Sequence, residues 1–357
     1  MIPLSAYSFS DAETAFVTRL TPNRSVDTRD SFLLSTSAVD SVWCGDHGIF
    51  AVGLSSTDIC GDVLLVDPQA QRAERLIRRS PAQNSLLITE QCDQLCIMCS
   101  QPPKKTHHDR FRYFEQACLL AEPDVTIGIT GGEPTLHFQS LLAMMSSVLE
   151  TRPDLSFHVL TNGQHFTEAL CALIPDRVRR ATVWGIPLYA ERPDLHDRIV
   201  GKDGAFDRLI ESMAHLLVHG ARIELRTVLL QDNLSLLPEL AQFVSSNLPH
   251  IEQWSLMGLE NIGFAKMRWH ALYADIRENF APVGKAIDLA TLFGIQARIF
   301  NIPLCHLPAS FRPFAVASIS DWKQRFSDSC SNCSARSACS GFFEWHPDPL
   351  VEEVVPL

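Results

Sequence analysis

The sequence predicts an α/β protein: a partial (β/α)6 barrel of the TIM type, with a small β-rich module before it and a cysteine-bearing extension after it. Three observations predict this. Six short apolar runs alternate with amphipathic helical stretches from Leu86 onward, and near-continuous apolar strands covered by helices imply a parallel sheet. Residues 1 to about 80 carry short β-type runs and no long helical period. The cysteines gather in two places, at 92, 96 and 99 and at 330, 333 and 339, with Cys305 upstream. The expected divisions are 1–82, 83–295 and 296–357.

In the first module, Ser31-Phe32-Leu33-Leu34 and Val63-Leu64-Leu65-Val66 read as strands, the second bracketed by Gly61-Asp62 and Asp67-Pro68. The barrel strands are expected at Leu86 to Thr89, Val125 to Thr130, Phe157 to Thr161, Ala181 to Leu188, Ile223 to Leu230 and Ile251 to Met257. Between them Leu141, Leu142, Met145, Val148 and Leu149 make one helical stripe. Phe206, Leu209, Ile210, Met213 and Leu216 make another, closed by Gly220 as C-cap. A further helical region covers roughly 270 to 294, ending at Gly294. Chemistry in such a barrel is expected at the C-terminal strand ends. The cysteine triplet follows the first strand, where that rule wants it.

Composition narrows the function classes. Hydrophobic residues are 46% and charged residues 20% of the 357, a folded rather than a disordered balance. The formal net charge of -11 disfavours a sequence-independent nucleic-acid binder, which needs a Lys/Arg surplus. No uncharged apolar stretch approaches the roughly 18 residues of a spanning helix, and Met1-Ile2-Pro3-Leu4-Ser5 lacks a basic and apolar leader pattern. A cytoplasmic protein with no membrane partner is expected. Eleven cysteines in a reducing compartment point to metal or redox chemistry rather than disulfides. Cys44, Cys60, Cys118 and Cys171, outside the groups, read as small buried hydrophobes.

Cys92-Asp93-Gln94-Leu95-Cys96-Ile97-Met98-Cys99 offers three thiolates within eight residues. A [4Fe–4S] cube has four irons, so this C-x3-C-x2-C loop would leave one open for an outside ligand. A zinc site completed by His107 or His108 is the alternative. Gly131-Gly132-Glu133-Pro134 follows the second strand: two glycines admit close backbone approach, and Glu133 offers an acceptor to an ammonium group. Asn162-Gly163 ends the third strand, and Arg226 is a charge inside the apolar fifth. It suits either a carboxylate ligand or a structural salt bridge. Cys330, Cys333 and Cys339 with Cys305 supply four thiolates, enough to close a second cluster with no open iron. Zinc is its rival. His306, beside Cys305, reads as a bystander, and His107, His108, His137 and His165 are assigned no acid–base role.

The C-x3-C-x2-C loop and the GGEP stretch together resemble the radical S-adenosylmethionine (radical SAM) superfamily. That resemblance implies a [4Fe–4S] cluster on Cys92, Cys96 and Cys99 whose open iron is chelated by SAM, and reductive cleavage of SAM to a 5′-deoxyadenosyl radical. It also implies that Gly131, Gly132, Glu133 and Pro134 touch the methionine end of SAM, that Asn162, in the TNG-type turn, is a cofactor-binding residue, and that Arg226 meets the SAM carboxylate. Trp184-Gly185-Ile186-Pro187-Leu188-Tyr189 departs from the Ser-x-Asp pattern often found there, leaving the ribose contact unassigned. Asp194 to Gly201 resembles the H-D-x-I-x-G turn of peptide-modifying members and reads as capping of the next helix. The tail resembles SPASM and twitch auxiliary-cluster domains, which implies a second [4Fe–4S] cluster on Cys305, Cys330, Cys333 and Cys339. The Cys99-Ser100-Gln101-Pro102-Pro103-Lys104 run is similar to the C-type radical SAM maturase of the His-Xaa-Ser system. Its implied partners are a His-Xaa-Ser repeat precursor peptide, a sister radical SAM maturase and a reductant such as flavodoxin or ferredoxin. A radical SAM enzyme acting on RNA or a small metabolite, and a non-catalytic Fe–S electron-transfer or scaffold protein, stay open as alternatives.

Overall fold

In the computed structural model, residues 2–8, 12, 14–79 and 84–357 are described, with backbone alone over 2–8. The expected boundary between 82 and 83 lies outside the described residues. The chain forms two compact units that interleave along the sequence. One comprises Met1–Thr89, His107–Val159 and Ile174–Thr182, the other Glu90–Thr106, Leu160–Leu173 and Val183–Leu357.

The first unit opens with a closed barrel of seven strands: β1 (Ile2–Ser8), β2 (Phe16–Thr21), β3 (Asp30–Thr36), β4 (Ser41–Gly45), β5 (Gly48–Val52), β6 (Val63–Asp67) and β7 (Arg72–Ile77). Their order is β1-β5-β4-β3-β2-β6-β7, with β1 pairing antiparallel to β7 to close the ring. Closure leaves no unpaired edge. Leu20, Trp43, Phe50, Ile59 and Leu64 are fully buried inside it. Trp43 satisfies its indole N–H on Ser41 Oγ at 2.9 Å, so a large ring enters the core without stranding a donor. The expected runs at 31–34 and 63–66 are β3 and β6. β2 and β7 mix polar with apolar residues because part of each strand shows to solvent, as Arg72-Ala73-Glu74-Arg75-Leu76-Ile77 does in β7.

Three parallel strands follow in the same unit: β8 (Asn84–Thr89), β9 (Thr126–Gly131) and β10 (Ser156–Leu160), in register at Leu86↔Ile129 and Phe157↔Ile127. The helix Phe138–Thr151 buries Leu141, Met145, Val148 and Leu149 of the expected stripe, with Met144 taking the place expected of Leu142.

The second unit carries parallel strands β11 (Thr182–Pro187), β12 (Arg222–Val228), β13 (Gln253–Met257), β14 (Gln296–Phe300) and the two-residue β15 (Ala315–Val316). All six expected strands are therefore present, three of them parallel to one another in each unit. β14 and β15 extend the array beyond them, because Ala297 and Ile299 turn into the core while Gln296, Arg298 and Phe300 do not. Thr227, buried in β12, donates to Leu188 O at 2.6 Å and accepts from Trp254 Nε1 at 2.9 Å. The helix Ala205–Val218 buries Phe206, Leu209, Met213 and Leu216 and is followed by Gly220 at φ 65°. The helical region expected over 270–294 is shorter. A helix runs only Ala281–Leu292, after a four-residue turn Trp269–Leu272. Pro282 sits in its first turn, where its ring is tolerated and its missing N–H costs no helical bond. Gly294, at φ 77°, follows the helix end as expected.

A two-stranded ribbon of β16 (Gln324–Arg325) and β17 (Phe342–Phe343) lies in the tail. Among the described residues, no helix is long and apolar enough to cross a membrane.

Candidate cluster loop and cysteine pocket

The loop Glu90–Thr106 belongs to the second unit and is held there by its backbone. Leu95 N donates to Val200 O at 3.1 Å and Ile97 N to Ile199 O at 2.9 Å, so the end of the helix Pro193–Val200 acts as a short backbone partner. Phe264 N donates to Cys99 O at 2.8 Å and Arg268 Nη1 to Ile97 O at 2.8 Å. Two glycines make the seat. A Cβ on Gly201 (φ 65°) would stand 2.5 Å from Leu95 O, and one on Gly263 (φ 61°) would stand 2.4 Å from Cys99 O. Both the left-handed backbone and the close approach require glycine. Asp197 receives Gly204 N at 2.5 Å and Phe206 N at 2.8 Å, so the expected capping of the next helix is observed.

With the backbone so engaged, the thiols of Cys92, Cys96 and Cys99 are half-buried. Cys99 Sγ donates to Gln101 O at 3.0 Å and Cys96 Sγ lies 3.5 Å from Gln94 Oε1. Burial pushes the Cys96 thiol well up, and the neighbouring charges of Cys99 and Cys92 push it further. Three sulfurs that repel one another as thiolates in a half-dry site need a compensating cation, which is what iron supplies. The donor set therefore fits the cluster. Tyr189, which carried no assigned role in the sequence, packs with Met98 and Cys96. Its phenol is pushed up by burial and by Cys96, against the opposing charge of Arg226.

Asn162, in the turn after β10, donates from Nδ2 to Asp93 Oδ1 at 2.7 Å, tying that turn to the loop. Arg226 donates from Nη1 to both oxygens of the buried Glu224 at 3.0 Å, which shows the structural ion pair. Glu224 in turn accepts from Ser255 Oγ.

Gly131 to Pro134 lie in the first unit. Gly132 N donates to Thr89 O at 2.8 Å, and a Cβ on Gly131 would stand 2.2 Å from that carbonyl oxygen. Glu133 is fully buried and caps the short turn Pro134–His137, accepting from Thr135 N at 2.8 Å and Thr135 Oγ1 at 2.5 Å. His107 stacks on His137 at 3.7 Å and its Nδ1 is 3.1 Å from Thr89 Oγ1.

In the tail, Cys305, Cys330, Cys333 and Cys339 line one pocket with Phe326, Phe342 and Val354. Backbone N–H groups point at its sulfurs. Leu304 N and Gly341 N lie 3.3 and 3.4 Å from Cys339 Sγ, and Leu357 N lies 3.4 Å from Cys333 Sγ. Such N–H···S contacts in an apolar pocket suit the sulfur ligands of an iron–sulfur cluster. Burial raises the Cys305 thiol to about 11, helped by the other three cysteines. Among the described residues, no three His, Cys, Asp or Glu side chains stand in a geometry that could hold a metal ion, so donor chemistry joins the three loop thiols and shared lining joins the four of the tail, ligand geometry neither. His306 and His346 border a neighbouring pocket, each lowered to about 4 chiefly by burial. Cys118 and Cys171 are buried as expected, while Cys44 and Cys60 are half-buried.

No protein-family model matches this chain, and no curated protein matches it. Among solved structures it is similar to SuiB of Streptococcus suis bound to S-adenosylmethionine, at 17% identity and a TM-score of 0.48 over 62% of this chain. The chain spans about half the length of SuiB, 51%. It is also similar to a radical SAM methyltransferase from Sphaerobacter thermophilus (14% identity, TM-score 0.45, 75% of this chain and 76% of that one). A third is TYW1 with a lysine-pyruvate adduct (15% identity, TM-score 0.43, 59% and 72%). Likeness at this level assigns neither family nor activity.

Three residues of the loop's surroundings carried no sequence signal. Gly263 stands alone in sequence, and Lys202 and Asp93 meet across 109 positions. Only Gly201 was marked, as the end of the H-D-x-I-x-G turn.

Proposed function

We propose that this chain is a radical SAM enzyme that modifies a ribosomally made peptide, with Cys92, Cys96 and Cys99 holding a [4Fe–4S] cluster. One observation supports this reading: the backbone of the cysteine loop makes the contacts that fix it, which leaves its three half-buried thiols out of the fastening. When bound, the cluster and SAM supply a 5′-deoxyadenosyl radical for hydrogen abstraction. In this reading Glu133, Gly131, Gly132 and Pro134 hold the methionine end of SAM. Asn162 orders the turn beside the loop, and Arg226, braced by Glu224, presents its remaining N–H groups to the SAM carboxylate. Cys305, Cys330, Cys333 and Cys339 hold a second [4Fe–4S] cluster in the 296–357 extension, with electron relay or peptide docking as its role.

The substrate follows from the motif resemblance: a His-Xaa-Ser repeat peptide, processed with a sister maturase and a flavodoxin or ferredoxin reductant. Anaerobically reconstituted protein is expected to show a cluster spectrum perturbed by SAM, and to change the mass of a His-Xaa-Ser repeat peptide only when SAM and reductant are both present. An unperturbed spectrum contradicts the cluster assignment. A perturbed spectrum with an unchanged peptide contradicts the substrate.

A further inference from the structure

Asp93 lies between two of the loop cysteines, and three side chains from elsewhere in the second unit converge on its carboxylate. Asn162 Nδ2 donates to Oδ1 at 2.7 Å, Lys202 Nζ donates to Oδ2, and His165 Nε2 lies 3.2 Å from Oδ2. Asn162 and His165 come from the turn after β10, and Lys202 follows Gly201 at the end of the helix that supports the loop. The same carboxylate therefore ties the Cys92–Cys96 turn to two separate segments. The side chains of Asp93 and Lys202 are about three-quarters buried, with exposures of 24% and 27%, so solvent screens their charges only in part.

Asp93 follows Cys92 directly and lies three residues before Cys96, so its charge sits within the loop that carries the sulfurs. A lone carboxylate there would oppose the assembly of three thiolates. Paired with the Lys202 ammonium, and with the His165 ring neutral, it keeps its hydrogen bonds while adding no net charge. Iron–sulfur potentials respond to local net charge and hydrogen bonding, so the pair has a consequence that a fastening alone would lack.

We propose that Asp93 is a positioning residue of the cluster loop which, paired with Lys202, holds the net charge beside the cluster near zero and so sets its reduction potential. This rests on the cluster reading above. The Asp93→Asn protein keeps the Lys202 cation without its counter-charge, and the cluster becomes easier to reduce. Lys202→Met leaves the carboxylate uncompensated, and the cluster becomes harder to reduce. The double variant removes both charges and returns toward the wild type.

The test is a redox titration of the full-length, reconstituted protein, following the signal that SAM perturbs, with iron content measured in parallel. A positive shift in Asp93→Asn, a negative shift in Lys202→Met and a near-wild-type midpoint in the double variant are expected. Singles that retain iron and share the wild-type midpoint, or that shift in the same direction, overturn the proposal. If Asp93→Asn fails to hold iron, Lys202→Met and Lys202→Arg carry the test: a negative shift in Met alone supports it, and equal midpoints overturn it. Wild-type protein with no SAM-perturbed signal contradicts the cluster reading itself, before Asp93 is touched.

Discussion

The two cysteine groups are built in opposite ways. Around Cys92, Cys96 and Cys99, the protein grips the backbone: amides and carbonyls of Leu95, Ile97 and Cys99 bond outward, over two glycines that nothing larger can replace. Around Cys305, Cys330, Cys333 and Cys339, the grip falls on the sulfurs. Backbone N–H groups point at them, and the local core is little more than Phe342, Val351 and Val354. The difference teaches where each region takes its order from. The loop is fixed by its own backbone contacts. The tail, of short 3-10 turns, a two-residue ribbon and the five-residue helix Asp348–Glu352, has little core of its own, and under the proposed function a metal joining its cysteines supplies the rest.

The largest expected effect exploits that contrast. Stripping metal with a chelator should expose the tail to proteolysis between about 320 and 357 while the parallel-strand region resists, since small metal-held segments fold with their metal. Cleavage maps by mass spectrometry check this, and a tail that stays protected without metal breaks the comparison.

Acid provides the next test, on the loop's side. His196 lies in the supporting helix, and burial lowers it to about 4 from an ordinary value near 6.5. The unfolded chain therefore binds this proton more readily than the folded one. The neutral ring's full contribution is present above about pH 6.5 and is lost progressively as pH falls toward 4, by roughly 3 kcal/mol. His196→Gln should flatten the denaturation midpoint over that window. An unchanged slope would remove His196 from the support of the loop.

How much of this was legible in the sequence depends on how far each signal reaches. The six expected strands are readable because short apolar runs recur between amphipathic helical stretches, even where a polar residue interrupts them, as His158 and Glu224 do. The strands of the N-terminal barrel are mostly unreadable because one face is polar, as in Arg72–Ile77. Cysteine spacing marks both thiol groups, since the ligands of a loop sit close in sequence. Spacing carries nothing about Gly263, which meets Cys99 and Ser100, or about Lys202 meeting Asp93. Those contacts exist only once the chain has folded. Glu133 shows a second limit: the GGEP stretch marks it as an acceptor, while the structure reveals that its first donors are the amide and hydroxyl of Thr135.

Gly263→Ala sharpens the comparison at a single atom. The added methyl meets two backbone oxygens, so a cost of about 1–3 kcal/mol is expected from the strained site, with loss of loop iron and retention of tail iron. Equal loss from both sites would mean that the loop is not held as described. The smallest effect is expected at the ligand contacts. Glu133→Ala should weaken SAM binding by roughly tenfold, the lower end of a charged hydrogen bond, with iron content unchanged. Arg226→Ala should do the same if its guanidinium serves SAM, and a normal affinity would leave it as the partner of Glu224 alone.

The most direct measurement is 5′-deoxyadenosine formation from SAM and dithionite by anaerobically reconstituted protein, wild type against the Cys92→Ala/Cys96→Ala/Cys99→Ala variant. The wild type is expected to form it. The variant is expected to form none while keeping about half of the iron, the share of four tail cysteines at four irons per cluster. Undiminished formation by the variant, or none by an iron-loaded wild type, would contradict the assignment of these three cysteines.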